Sequence, residues 1–390
     1  MVPLLTTLAV TQSQYKINCH CCLKIFRRLC FFLADTSSIP IFSYFMEPLS
    51  NLQISSLMDK EGRISNNNMD ILRRTLYYRG CEKDARELSW SLCLGYLNHE
   101  KTTSERKLEE THYHVIYEKT KSVWQNVIPE QKQNWALYKQ IETQIDKDVT
   151  RTDKDEHLFQ TDDLRHTTLL KTILMTYAFF NMRINYRQGM NYIVSGLMNV
   201  TTNENALFWL FKCVMDIIQP FYFCENDTIM RALKKNGCIL KVMSPPLYKY
   251  LQQRDITYFF CFKWNALLFK RLFNEKDLLR VWDTIFAFPN RKMFYYITAA
   301  ILKEYTTDIV SCLLSFDELM LFIQKLNGTI GDGIVYQADV VYQEFKKTAD
   351  SEIVQYVYEK FSYKPAPKND IRRVFFDIYS QCRPRSYSTK

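Results

Sequence analysis

Glycine and proline are scarce in this chain, with 9 and 11 among 390 residues. Folds built from many short strands need frequent turns, and those turns draw on both residue types. Their scarcity argues against such folds and favours long helices. No stretch alternates apolar and polar residues between hairpin turns, and no internal repeat marks a regular solenoid. Also missing are a phosphate-cradling GxxxxGK[ST] run and any GxGxxG, GxSxG or HExxH pattern. The chain is therefore not itself a P-loop nucleotidase, and a catalytic role would have to proceed without a cofactor of its own. Long apolar runs are absent too. The run from Cys30 to Phe45 is broken by Asp35 and Pro40, too short and interrupted to span a bilayer. Met1 to Val10 is apolar but has no basic start before it, which makes a poor signal peptide. A weak membrane-contacting segment is the alternative reading of these first residues.

What is present describes a folded protein. Hydrophobic residues make up 47% and charged residues 24%, a globular balance. The net charge of +9 fits a mildly basic soluble protein, or one drawn to anionic membrane surfaces or acidic partners. No nucleic-acid recognition motif accompanies that charge. The 12 cysteines are irregularly spaced, and Cys81, Cys93, Cys213, Cys238 and Cys261 sit among apolar residues. In a long helical chain they read as reduced core thiols of a cytosolic protein. Cys19, His20, Cys21 and Cys22 look like a metal cluster, but adjacent ligands do not match zinc spacings and no second pair follows.

Residues 1–65 show no clear period and read as an N-terminal extension. Ser65-Asn66-Asn67-Asn68 reads as a loop and helix start, so the helical domain is placed at 66–345. Residues 346–390 form a C-terminal helix and a basic, partly disordered tail carrying Arg372, Arg373, Arg383 and Arg385. Within the domain, Leu169, Leu170, Ile173, Leu174, Tyr177 and Ala178 predict one amphipathic helix. Ile193 to Met198 predict the next. Asn203-Glu204-Asn205 supplies capping residues for a third, which Pro220 stops. Leu267, Leu268, Arg271 and Leu272 predict a fourth, Asp277 to Phe286 a fifth, and Tyr295 to Tyr305 a sixth. The fold class is irregular all-α.

Two short polar stretches lie on either side of the Leu169 helix. The first reads Ile145-x-x-Asp148-x-x-Arg151-Thr152. On a helix, residues three apart share a face, so Asp148 can hold the Arg151 guanidinium while Ile145 anchors the turn in the core. Taken alone, this is also what a common surface ion pair looks like. The second reads Tyr186-Arg187-Gln188-Gly189-Met190-Asn191. Gly189 permits a tight turn or a close backbone approach, so Gln188 sits at a loop-to-helix junction and projects outward, with Asn191 available to cap the next helix. Taken alone, this is also an ordinary helix–turn–helix connection.

Together the two stretches resemble the signature of TBC-domain Rab GTPase-activating proteins, whose motifs are IxxDxxR and YxQ, often followed by Gly-Met. Ile145, Asp148 and Arg151 match the first; Tyr186, Gln188, Gly189 and Met190 match the second. Trp90, Leu94, Gly95 and Tyr96 resemble the family's opening segment. Phe262-Lys263-Trp264 with Leu268-Phe269-Lys270-Arg271, and Leu278 to Asp283 with its Trp282-Asp283, resemble two later ones. The five segments keep the family's order over about 79–290. Residues 1–65 and the tail match nothing in it.

The resemblance implies an irregular multi-helix domain in two helical lobes. It implies a partner, a Rab-family small GTPase in its GTP form, that carries its own GTP and Mg²⁺, so that this chain needs no cofactor. Arg151 and Gln188 would be the catalytic residues inserted into that partner. Asp148 would orient Arg151 and Tyr186 would brace the Gln188 loop, with Ile145, Thr152 and Gly189 in support. A cytoplasmic protein of vesicle trafficking, peripheral on endomembranes, is the corresponding location. The alternative is a TBC fold that holds a GTPase without stimulating it, as a scaffold or adaptor. Two departures stand out: Arg187 at the variable position beside Gln188, and an acidic loop, Asp153-Lys154-Asp155-Glu156, expected to affect docking.

Overall fold

The computed structural model describes residues 47–153, 164–223, 226–312 and 315–360. The Cys19–Cys22 cluster, the apolar run from Cys30 to Phe45 and the tail after Pro365 lie outside the described residues. In chain order the helices are α1 (Asn51–Ser56), α2 (Asn66–Arg79), α3 (Arg86–Cys93), α4 (Thr103–Gln125), α5 (Pro129–Asn134) and α6 (Ala136–Val149). Then come α7 (Leu164–Phe180), α8 (Met190–Met198), α9 (Glu204–Ile218), α10 (Asn226–Met243), α11 (Pro245–Gln253) and α12 (Phe262–Ala266). The last are α13 (Glu275–Ala287), α14 (Met293–Glu304), α15 (Thr306–Ser311), α16 (Phe316–Lys325), α17 (Ile334–Thr348) and α18 (Ser351–Tyr358). No strand occurs among the described residues, where pairing is limited to isolated bridges at Leu49–Cys81 and Met58–Ile64. The fold is all-α.

The helices begin where side chains can satisfy their first free N–H groups. Ser65 accepts from Asn68 N–H at the start of α2, Asn203 from Ala206 N–H at α9, and Asn274 from Asp277 N–H at α13. Thr102 and Glu105 form a reciprocal capping box at α4. Helix α9 ends at Ile218, just before the 3₁₀ turn that contains Pro220.

Helix α7 is the axis of one packing group. The sequence predicts it to be amphipathic, yet every residue from Thr172 to Phe180 is buried, because α4, α6, α8 and α9 surround it. A helix covered on all sides can only sit at the centre of a bundle. A second group forms around α14, which packs on α10 and α17, with α18 against α10. Helix α13 packs on α2 and α3 and also touches α14. Its Trp282 comes so close to α8 that a Cβ on Gly196 would lie 2.5 Å from the indole, so glycine is required there.

The predicted fourth helix is not where the sequence puts it. Helix α12 ends at Ala266, and Leu268 (φ 44°) and Phe269 (φ 64°) turn the chain through left-handed backbone. Apolar spacing suggests a helix there, but both side chains are buried within a tight turn instead. Ahead of Ser65, Leu49, Ile54 and Ile64 are buried in the same body, and Leu49 N–H donates to Gly80 O at 3.0 Å. Cys81, Cys93, Cys213, Cys238 and Cys261 are free thiols. Burial pushes Cys81, Cys93 and Cys213 up to about 12, so these three are inert at neutral pH.

Candidate functional site

Helix α6 brings Ile145 and Asp148 to its buried face, both fully covered. The helix stops at Val149, so Arg151 lies in the turn beyond it rather than on the helix the spacing implies. That turn keeps the expected proximity. Arg151 N–H donates to Asp148 O at 3.2 Å, and Thr152 N–H to Val149 O at 3.2 Å. The Arg151 guanidinium donates twice to Asp148 Oδ1, from Nε at 3.0 Å and from Nη2 at 2.5 Å. The carboxylate is 0% exposed while the arginine side chain is 53% exposed. The hydrogen bonds and charge of Asp148 raise the Arg151 pKa further, so the group carries a permanent charge. Two of its five donors are thus fixed inward, and the others are available to a ligand.

The other carboxylate oxygen reaches the second motif. Tyr186 OH donates to Asp148 Oδ2 at 2.6 Å, and Gln144 Nε2 does so at 3.1 Å. Burial, and then the hydrogen bond to Asp148, push the Tyr186 phenol well above its ordinary range, so it remains a donor. Next comes the turn that carries Gln188. Gly189 has φ 106° and forms the N-cap of α8, a conformation that excludes other residues at low cost. A Cβ there would also lie 2.9 Å from Leu267 Cδ2. Gln188, immediately before it, is exposed.

Asn191 closes the arrangement. The sequence suggests it as a helix cap, but it is the second residue of α8 and is buried. Its Oδ1 accepts from Gly189 N–H at 3.1 Å, and its Nδ2 donates to Thr152 Oγ1 at 2.8 Å. Thr152 Oγ1 in turn donates to Asp148 O at 2.6 Å. The two turns are therefore joined twice, through Tyr186–Asp148 and through Asn191–Thr152. Ile145, Asp148, Arg151, Thr152, Tyr186, Gln188 and Gly189 all belong to this one arrangement.

Asp153 departs from expectation. Rather than starting an acidic docking loop, its side chain is only 7% exposed and pairs with Lys270 Nζ at 3.2 Å. Ser195 Oγ also donates to it. Lys154 to Glu156 lie outside the described residues. Ser195 and Lys270 are the site's neighbours that sequence reasoning missed, and the only hint was that Lys270 falls inside a segment resembling the family.

Comparison with known proteins shows the family and the fold. The Rab-GTPase-TBC domain family model matches residues 83–310, more than half of the chain. The protein belongs to the Rab-GTPase-TBC domain family. Among relatives, human TBC1 domain family member 17 is 26% identical over 321 residues, covering 82% of this chain and 49% of its own length. The GTPase-activating protein GYP7 of Candida glabrata is 26% identical over 332 residues, covering 78% of this chain and 44% of its own. The chain thus spans about half the length of the relatives it matches. The crystal structure of the Ypt/Rab-GAP domain of Gyp1p shares the fold, with a TM-score of 0.62 at 20% identity, over 79% of this chain and 99% of that one.

Proposed function

We propose that this protein stimulates GTP hydrolysis by a Rab-family small GTPase in its GTP form, by inserting Arg151 and Gln188 into the partner's nucleotide site. The observation that carries the proposal is a half-exposed guanidinium pinned by a buried carboxylate, which is itself bonded to the turn presenting Gln188. Hydrolysis needs an oriented water and a counter-charge for the phosphoryl group in the transition state. Arg151 supplies a fixed positive charge with outward donors. The Gln188 amide can accept from a water and donate to a phosphate oxygen at once. GTP and Mg²⁺ come with the partner. Holding the Arg151 guanidinium in advance avoids the entropic cost of ordering it during the reaction.

The net charge of +9 supports a peripheral encounter with anionic endomembranes from the cytoplasm, where membrane-bound GTPases would be met. No helix among the described residues is long and apolar enough to cross a membrane.

The test is single-turnover GTP hydrolysis across a panel of Rab GTPases. For a responsive Rab, Arg151→Lys should lose most stimulation, because lysine lacks the planar fork. Gln188→Ala should do the same without unfolding the protein. Full stimulation by either variant would remove that residue from the mechanism. Tight binding to a GTPase with no rate change in the wild type would leave only the scaffold reading.

A further inference from the structure

The segment Leu267–Arg271 touches both turns of the site. Leu267 packs against Gly189, beside Gln188, as the 2.9 Å approach to a Cβ there shows. Lys270 reaches Asp153, two residues past Arg151, and the pair is almost wholly enclosed at 3% and 7% exposure. Arg271 lies over the Tyr192 ring at 4.6 Å, one residue past Asn191. Between these contacts the backbone adopts a costly shape. Leu268 and Phe269, both bulky and buried, are consecutive left-handed residues. Such conformations persist only when their surroundings over-determine them, and they concentrate where a structure must hold something in place. Here Trp282 Nε1 donates to Leu268 O at 2.9 Å and fixes the turn from behind.

A buried ion pair is weak evidence for stability, since a well-packed apolar pair does as well. Its stronger use is to specify geometry. Asp153 itself has φ 41°, and its carboxylate takes both Lys270 and the Ser195 hydroxyl. The Arg151 turn is thus clamped on both sides, by Asp148 before it and by Asp153 after it.

We propose that Lys270 is a positioning residue for the Arg151 turn, acting through Asp153, and that the strained Leu267–Arg271 segment holds the Arg151 and Gln188 turns in register. Lys270 touches neither nucleotide nor partner in this scheme. The proposal rests on the GTPase-activating reading of the site, and its test has an arm independent of that reading.

In the first arm, single-turnover hydrolysis by a responsive Rab is measured against the concentration of the full chain. Lys270→Met should lower the maximal rate by about 10- to 100-fold, the scale of a 1 Å misplacement, with the half-saturating concentration changed less than about threefold. Lys270→Arg should retain most of the rate. In an Arg151→Ala background, Lys270→Met should cause no further loss, because it acts through Arg151. The same fractional loss in that background, or a raised half-saturating concentration at unchanged maximal rate, would overturn the proposal. If Lys270→Met does not fold, Ser195→Ala loosens the same carboxylate without stranding a charge and should give a smaller loss of the same kind.

The second arm is amide hydrogen exchange without any GTPase. The N–H groups of Thr150, Arg151 and Thr152 are hydrogen-bonded within the turn. In Lys270→Met they should exchange about tenfold faster, with α10 and α14 unchanged. Unchanged exchange at these three amides would refute the clamp whatever the activity. A wild type that stimulates no Rab would instead defeat the proposed function, and the exchange result would still decide the role of Lys270.

Discussion

Two arginine–aspartate pairs in this molecule use the same chemistry to opposite ends. In the first, Arg86 of α3 donates from Nε and Nη2 to the two oxygens of Asp283 on α13, each at 3.0 Å. Trp90 Nε1 and the Cys81 N–H add donors to the same carboxylate, and both charged side chains are covered, at 10% and 0% exposure. Burial pulls the Arg86 pKa down, but the charge and hydrogen bonds of Asp283 outweigh it and leave it raised. Nothing of this pair is offered to a ligand. In the second, Asp148 is equally buried, but Arg151 projects from the end of its helix and only one carboxylate oxygen serves it. A pair closed on both sides ties two distant helices together. A pair closed on one side aims a charge at something outside the molecule.

The sharpest break between the two comes from removing each arginine in turn. Arg151→Ala should abolish most of the GTPase stimulation, about 10³-fold or more by analogy with other arginine fingers. Its cost in stability should be the smaller of the two, because water can replace the half-exposed guanidinium while Asp148 keeps Tyr186 and Gln144 as donors. Arg86→Met should do the reverse, lowering the unfolding free energy by about 3–5 kcal/mol by stranding a buried carboxylate. Urea denaturation and single-turnover kinetics on both variants check this. Equal losses of stability would erase the distinction.

How much of this was readable in advance depends on how local each contact is. Ile145, Asp148 and Arg151 are spaced by one helical turn, so their proximity follows from the chain itself. Gly189 announces a turn by its composition, and Gln188 beside it is exposed as that turn requires. The link between the motifs is another matter. Tyr186 and Asp148 meet across 38 residues, and Asn191 and Thr152 across 39. Lys270 and Arg86 find their partners across longer stretches still, and no periodicity encodes such pairings. The Leu267–Leu272 stretch misleads for a different reason. Apolar residues at helical spacing also line a buried turn, and a left-handed Leu or Phe leaves no compositional mark as glycine does. The capping residues at α2 and α9 were legible because a cap is a contact over three residues.

Tyr186 lies between the two kinds of pair and should show both kinds of loss. Its hydroxyl is buried like the Arg86 contacts, yet it connects the Arg151 and Gln188 turns. Tyr186→Phe keeps the ring and removes the 2.6 Å bond to Asp148. The expected stability loss is about 1.5–3 kcal/mol, the value of a hydrogen bond to a charged group. The maximal rate should fall as well, with Rab binding little changed. A stability loss with no change in rate would mean that the Asn191–Thr152 link alone holds the turns together.

A buried lysine is held differently from either arginine. Lys235 of α10 donates to Glu359 O at 2.8 Å, just past the end of α18. Burial, and then the nearby Lys292 ammonium, push its pKa down to about 7, against the partial opposition of Glu359, with Arg231 adding to the depression. Lys292 donates to the same end of the chain, to Val357 O at 3.1 Å, and its own pKa is also lowered by burial. A base whose folded pKa is depressed binds its proton more weakly in the native state than in the unfolded one. Between about 7 and the ordinary lysine value near 10.4, the unfolded chain holds more protons, so this group makes stability rise with pH across that window. Below about 7 both states are protonated and its contribution is flat. The slope is at most one proton, about 1.4 kcal/mol per pH unit, and Lys292 adds in the same direction. Thermal unfolding of Lys235→Met from pH 6.5 to 9.5 should show a shallower rise than the wild type. Parallel curves for Lys235→Met and wild type would mean that Lys235 stays fully charged in the fold, held as firmly by a carbonyl as Arg86 is by its carboxylate.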